Sequence, residues 1–292
     1  MASSTGKNSR GVLYVVATPI GNLEDITIRA IRVLSEVDLV ACEDTRRTAR
    51  LLAAHGIGKP LLSYFEHNEH RRAAEIVARL KEGARVALVT DAGTPAISDP
   101  GFRLVRGAIE AGIRVTAVPG PSAVAAALSI AGLPTDRFAF EGFLPPKGPA
   151  RIKFLESLAR ETRTIVFYEA ARRLSATLNE MATAFGEDRA AAVVREMTKT
   201  FEETIRGTLG ELARRFAAEP ALGEITLVVA GARAAEGEPT AGAQGPEITA
   251  EMLCEAGLGL KAASDLIARL TNRSRREVYQ EALRAKRLGG RS

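Results

Sequence analysis

The stretch RVALVTDAGTPAISDPG, residues 85–101, decides how this chain is read. Its first six residues form an apolar run of strand length. The next eleven hold two Asp, two Gly, two Pro, a Thr and a Ser, with no Lys or Arg. Turn residues at that density end a strand. A helical pattern over 101–112 follows. A strand, a loop at its carboxyl end and a helix make one unit of a parallel sheet.

The same unit recurs on both sides. VLYVVA (12–17) leads to a helix near 26–36, DLVAC (38–42) to one near 45–55, and PLLSYF (60–65) to one over 69–82. RVTAV (114–118) precedes a helix over 122–131. These repeats predict a mostly parallel, doubly wound sheet over residues 11–133. Ligands of such sheets sit outside the carboxyl ends of the strands. DAGTPAISDPG, ATPIGN (17–22) and PGPSA (119–123) all fall there.

Beyond Pro134 the rhythm changes. FAFEGF (138–143), TIVFYE (164–169), AAVVRE (191–196) and EITLVVAG (224–231) alternate with helices, and FEETIRGTL (201–209) alternates like an edge strand or hairpin. A second α/β domain with a mixed sheet is expected over 134–232. ARAAEGEPTAGAQGPE has no apolar period, so 233–247 reads as a linker. Helical segments near 249–256, 259–270 and 275–287 form a small C-terminal unit, 248–292. Its middle helix should bury Ala263, Leu266, Ile267 and Leu270, and its last Val278, Ala282 and Ala285. Ser274 to Glu277 has the spacing of a capping box. The whole resembles a helix-turn-helix.

Composition bounds the function. The chain has 292 residues, 46% hydrophobic, enough for a sizeable core. Aromatics are 5% and Trp is absent, against a stacking platform for single strands. Two cysteines make neither a disulfide framework nor a four-Cys zinc site. Residues 115–135 are uncharged, but Pro119-Gly120-Pro121 cuts them into a strand and a helix rather than a membrane span. MASSTGKNSR lacks an apolar signal region, so a cytoplasmic protein is expected. Net charge is +5, yet residues 257–292 hold nine Lys/Arg against three acids, +6, and the remainder sums to −1. That basic tail suits a polyanion, or is a solvated helix face.

The three loops exclude a nucleotide phosphate, which wants Gly amides with a Lys or Arg. No GxGxxG is present in them, so the dinucleotide fingerprint is also missing. Gly21, Gly93 and Gly120 allow close backbone approach, while Pro19, Pro95, Pro119 and Pro121 stiffen the loops. The expected ligand is neutral or cationic and carries no phosphate. S-adenosylmethionine (SAM), a sulfonium with an ammonium and a carboxylate, has these properties.

ATPIGNLEDIT, CEDTRRT, HNEH, DAGTPAISDPG, PGPSA, EGFLPPK, FYEAARRL, REMTKTFEE and GEITLVVAG occur in this order. Together they resemble the tetrapyrrole methylase superfamily, and within it the branch that methylates ribosomal RNA. The resemblance runs from about Leu13 to Arg287. Tetrapyrrole-directed members carry Gly-Asp-Pro where this chain has Ala92 to Pro95, and they usually lack the CEDTR and HNE segments. The resemblance implies SAM bound between two α/β domains and a homodimer. It also implies transfer to a cytidine ribose 2′-OH in the decoding region of 16S ribosomal RNA in the small ribosomal subunit.

It further implies cofactor contacts. Pro19 and Gly21 would line the methionine end. Gly93, Thr94, Pro95, Ile97 and Ser98 would wrap methionine and ribose, with Ser122 and Ala123 on the next loop. Tyr168, Glu224, Ile225 and Thr226 would approach the adenine, although Tyr168 and Ile225 also read as core.

Methyl transfer from a sulfonium needs alignment and water exclusion, not a metal. Glu43 or Asp44 can orient or deprotonate the ribose hydroxyl, although Asp44 also reads as a helix cap. Cys42 reads as a small buried hydrophobe. Arg46 can grip a phosphate. His67 and Asn68 are candidate RNA-binding or catalytic groups, Asn68 alternatively a helix cap. HNEH lacks the HExxH spacing of a zinc helix. Lys199 can stabilise an alkoxide or a phosphate, or pair with Glu202 or Glu203. Arg273, Arg275 and Arg276 are the RNA-binding candidates of the tail. Two other functions compete: a methyltransferase for a small tetrapyrrole, and a non-catalytic RNA-binding ribosome-assembly protein.

Overall fold

The computed structural model describes residues 11–232, 250–255, 257–271 and 274–289. It divides into two compact units, Met1–Arg233 and Ala234–Ser292. Arg273 and the 233–247 segment lie outside the described residues.

The first unit opens with a sheet of β1 (Val12–Val16), β2 (Leu39–Cys42), β3 (Leu61–Ser63), β4 (Arg85–Leu88) and β5 (Arg114–Val118). The strand order is β3-β2-β4-β1-β5, and every pairing is parallel. All four residues of β2 are buried, because helices cover both faces. On one face α1 (Ile28–Glu36) and α2 (Thr45–Ala54) pack Val33, Leu34 and Leu52 against Val16 and Val40. On the other, α3 (Glu69–Lys81) and α4 (Phe102–Glu110) pack Ile76, Leu80 and Leu104 against Leu13 and Leu88. The Thr27 hydroxyl accepts from the Ala30 N–H and starts α1.

Helix α5 (Ala123–Ala131) completes the fifth strand–helix repeat but packs elsewhere. Val124, Ala127 and Leu128 lie against Val166, Ala192, Val194 and Val228 of the second sheet. Its sequence AVAAALSIA is small and apolar on every side, so it can lie close to a sheet.

That second sheet contains β6 (Phe138–Phe143), β7 (Thr164–Ala170), β8 (Ala190–Arg195), β9 (Glu203–Thr208) and β10 (Glu224–Val229), ordered β6-β7-β10-β8-β9. β6 and β7 are parallel and the other pairs antiparallel, so the sheet is mixed with β9 on its edge. Helices α6 (Pro149–Leu158), α7 (Leu174–Phe185) and α8 (Leu209–Ala218) contribute Leu155, Leu178, Met181 and Leu212 to a core with Phe167 and Leu227. The two lobes, followed in sequence by a short helical unit, are the expected tetrapyrrole-methylase architecture.

The second unit contains α9 (Ala250–Glu255), α10 (Leu260–Thr271) and α11 (Arg275–Gly289). Ala263, Ile267 and Ala268 pack against Val278 and Ala282. Leu266, expected on the buried face, is exposed. The buried stripe is rotated towards Ala268 and Ser264, whose hydroxyl donates to the Leu260 carbonyl. The side chains of Leu270 and Ala285 lie outside the described ones. Among the described residues no helix is long and apolar enough to cross a membrane.

Ala127→Leu tests the tie between the lobes. Ala127 is fully buried against the second sheet, and overpacking there costs about 1–3 kcal/mol. We expect the melting temperature to fall by roughly 2–10 °C; an unchanged value would mean that α5 is not packed as described.

Candidate active site

The loops after β4, β1 and β5 emerge from three adjacent strands. They are laced together. Thr18 and Gly93 exchange backbone hydrogen bonds of 2.9 and 3.0 Å. The Thr18 hydroxyl donates to the Thr90 carbonyl at 3.1 Å, and the Thr94 hydroxyl to the Pro121 carbonyl at 3.3 Å. Gly93 has φ +82°, a region that a side chain disfavours. Ala96 and Ser98 adopt left-handed backbone without that freedom, at φ 68° and 60°.

These loops form one wall of a cavity of about 620 Å³, and the second lobe forms the other. Gly93, Thr94, Ile97, Ser98, Ser122 and Ala123 line the first wall; Tyr168, Glu224, Ile225 and Thr226 line the second. Pro19, Gly21 and Pro95 are not among the lining residues. Gly21 serves another purpose: a Cβ there would sit 2.6 Å from Lys199 Cγ and 2.8 Å from the Met197 carbonyl. Its missing side chain lets the first lobe meet the β8–β9 loop. Pro95 is buried within its own loop. Ile225 belongs to the core of the second lobe and to the cavity wall together. Tyr168 stacks edge-on with Phe140 at 4.9 Å.

Sequence reasoning left out several lining residues: Ile20, Thr90, Asp91, Asp99, Phe143 and Met197. Asp91 and Asp99 stand inside the quoted loop, where the sequence alone marks them as repulsive to a phosphate and gives them no ligand. Phe143 read as a strand residue and Met197 fell between two strand-like runs; only the folded chain turns them to the cavity.

The charged loops emerge from the other half of the sheet, after β2 and β3. Asp44 caps α2 by accepting from the Arg46 N–H at 2.8 Å, and it holds the Arg46 guanidinium at 2.9 and 3.2 Å. Those hydrogen bonds from Arg46 lower its pKa to about 2, so it is a weak base. Glu43 is the opposite case. Burial, then the charges of Asp91 and Asp99, raise its pKa. The Thr90 hydroxyl lies 2.7 Å from Asp99 and 3.3 Å from Glu43. Burial raises Asp99 too. Burial likewise raises the Cys42 thiol, which suits an inert buried group.

His67 is exposed and sits edge-on to Phe65. Asn68 occupies the N-cap position of α3 but makes no capping bond. Its amide turns back, accepting from the Phe65 N–H at 2.9 Å and donating to the Ser63 carbonyl at 3.2 Å. It therefore fixes the turn rather than the helix. Lys199 pairs with neither Glu202 nor Glu203. Its ammonium lies 3.0 Å from both Glu196 and Glu224. Burial pulls its pKa down, but these hydrogen bonds outweigh that and hold it above the usual value. Glu202 instead accepts from the Thr198 N–H at 2.6 Å. Arg275 and Arg276 are exposed on α11, with Arg275 3.6 Å from Asp265.

A raised Glu43 has a testable consequence. Folded Glu43 holds its proton more tightly than the unfolded chain does, so its ionised form opposes folding above the folded pKa. That cost vanishes below the ordinary carboxylate range. Glu43→Gln should therefore raise the melting temperature at pH 7, with the gain shrinking as pH falls. A gain independent of pH, or a loss at pH 7, would contradict the burial of this charge.

Similarities to known proteins accord with this geometry. Residues 12–213 match the family model described as Tetrapyrrole (Corrin/Porphyrin) Methylases. The chain is 50% identical to Ribosomal RNA small subunit methyltransferase I of Pseudomonas aeruginosa, over 94% of this chain and 98% of that one. It is 47% identical to the protein of that name in Synechocystis, over 94% and 98%. Among solved structures, the uroporphyrin-III-C-methyltransferase of Thermus thermophilus superposes with TM-score 0.55 at 24% identity, covering 76% of this chain and 94% of that one. A cobalt precorrin-4 methyltransferase gives TM-score 0.56 at 23% identity, covering 76% and 95%. At such identities these structures speak for the fold alone. The chain belongs to the tetrapyrrole methylase family, in its ribosomal RNA small subunit methyltransferase I group.

Proposed function

We propose that this chain is a SAM-dependent methyltransferase that acts on the ribose 2′-OH of a cytidine in the decoding region of 16S ribosomal RNA. The observation that carries the proposal is the partition of one sheet edge. Loops without Lys or Arg leave β4, β1 and β5, and loops rich in charge leave β2 and β3. A small cationic ligand and a polyanion can thus meet at their border. The near full-length similarity to enzymes named for small-subunit ribosomal RNA supports the RNA. The motif resemblance supports the cytidine ribose and a homodimer.

The cavity fits SAM in size, within the roughly 300–1,000 Å³ of small-molecule sites. Its donor set fits as well. The bare backbone of Gly93 allows close approach, Asp91 and Asp99 favour a cation, and Ile225 and Tyr168 offer flat apolar surface. Gly93, Thr94, Ile97, Ser98, Ser122 and Ala123 would hold its methionine and ribose parts, and Tyr168, Glu224, Ile225 and Thr226 its adenine. SAM supplies a methyl group already activated on sulfonium.

The chain's own task is to aim the hydroxyl and remove its proton. Glu43 suits proton acceptance, because burial and its acidic neighbours raise its basicity. Lys199, charged throughout the working range, suits stabilisation of a developing alkoxide or a phosphate. Ile97 and Phe143 give the cavity wall exposed apolar surface, which a bound substrate would cover to keep water out. Arg46, His67 and the basic tail with Arg273, Arg275 and Arg276 serve the RNA.

Offering radiolabelled SAM with small ribosomal subunits, free ribosomal RNA or uroporphyrinogen tests the reading. We expect label in the RNA of the subunit or in free RNA, in a dinucleotide that resists alkali. Label in uroporphyrinogen would establish the tetrapyrrole alternative. Label in an alkali-labile position would place the methyl group on a base.

A further inference from the structure

We propose that Arg172 and Arg47 are substrate-binding residues that hold RNA phosphodiesters at the mouth of the cavity. The proposal deepens, and rests on, the reading of RNA as substrate.

Arg47 comes from the first turn of α2, in the first lobe. Arg172 comes from the tight turn Ala171–Arg173 that follows β7 in the second. Among the described residues they supply the only Lys or Arg side chains that line the cavity; Asp91, Asp99, Glu169 and Glu224 supply the acids.

What presents Arg172 is a buried ionic network. The Glu169 side chain is fully buried. Its carboxylate takes Arg173 at 2.5 and 2.6 Å, the Thr177 hydroxyl at 2.6 Å and the Ala170 N–H at 2.8 Å. Arg151, itself almost fully buried, lies 3.6 Å from it and donates to Thr177 and the Pro145 carbonyl. Burying such charges is costly unless every polar atom is met, and here the partners converge on one turn. Of two successive arginines, Arg173 is consumed inside and Arg172 is left outside. Among the described residues no carboxylate pairs with Arg172.

Arg47 is 65% exposed and only 3.4 Å paired with Asp91. The pair is open on the arginine side, with Asp91 21% exposed, and water there screens the attraction, so a phosphate can exchange for the carboxylate. Guanidinium groups are suited to phosphate oxygens by their fork of donors. Two exposed cations on separate lobes fit a chain that crosses the mouth and carries a charge at each nucleotide. One buried amino-acid carboxylate offers a single anion.

The test uses the full chain with Arg172→Ala, Arg172→Lys and Arg47→Ala. S-adenosylhomocysteine affinity is measured by calorimetry, and RNA binding by filter retention over a salt series. Methyl transfer is measured at varied RNA. For the alanine variants we expect S-adenosylhomocysteine affinity within about twofold of wild type and KM for RNA raised about tenfold. The slope of log K against log salt should shrink by roughly 0.7–0.9 for each arginine removed. Arg172→Lys should keep the slope while losing part of the affinity. Weakened S-adenosylhomocysteine binding with an unchanged salt slope would assign the arginines to the cofactor's carboxylate and overturn the proposal. Variants indistinguishable from wild type would overturn it too. A wild-type chain that binds no S-adenosylhomocysteine, or no RNA, would fell the underlying reading first.

Discussion

The hydrogen-bonded bridge between Thr18 and Gly93 is the constraint on which the site depends. A parallel sheet ends in loops that would otherwise be free to diverge. Here the ends of β1 and β4 are clasped by two backbone bonds and a threonine hydroxyl. The clasp holds Gly93 in left-handed backbone and carries the following residues through two further left-handed positions, Ala96 and Ser98. Backbone of that kind persists only where its surroundings over-determine it. Thr94, anchored on the Pro121 carbonyl, ties the third loop to the same clasp. Three loops thus behave as one wall.

The opposite wall is held by different means. Helix α5 begins at the end of that third loop and packs on the second sheet. The relation between the lobes therefore rests on the packing of small side chains rather than on a flexible connection. Gly21 against Lys199 and Met197 adds a second close approach. Behind the turn that carries Arg172, the Glu169 network does for the second lobe what the Thr18 clasp does for the first. The acids Glu43, Asp91 and Asp99 gather around Thr90, where the two halves of the sheet edge meet. Their burial, and after it their mutual repulsion, is a standing cost to the fold and the source of a stronger base.

Much of this was legible in the chain's letters. The apolar runs marked the strands because period and length are local properties, and the loops announced themselves by Gly, Pro and Asp. The strand ends were less legible. RVALVT is apolar to Thr90, but the ladder stops at Leu88, where the chain turns to meet Thr18. The destination of α5 was hidden, since a helix that is apolar all round does not reveal which sheet it covers. Asn68 read as a cap because of its position, yet its amide found partners behind it. Lys199 read as a partner of Glu202 or Glu203, but it pairs with Glu196 on its other side in sequence and with Glu224 from a strand that only the sheet brings close. The loop residues after the strands that line the cavity could be located; their partners across it depended on tertiary contacts that no local pattern records.

The most direct test of this account is calorimetric titration of S-adenosylhomocysteine into wild type and Gly93→Val, with melting curves to establish that both are folded. A side chain at Gly93 strains the left-handed backbone and points towards Ile20, 3.5 Å away, in the cavity wall. The account predicts micromolar-range or tighter binding by wild type, about −8 kcal/mol or better, and at least about tenfold weaker binding by the folded variant, a loss of about 1.4 kcal/mol. Equal affinity in the two folded proteins would contradict it and place the cofactor elsewhere.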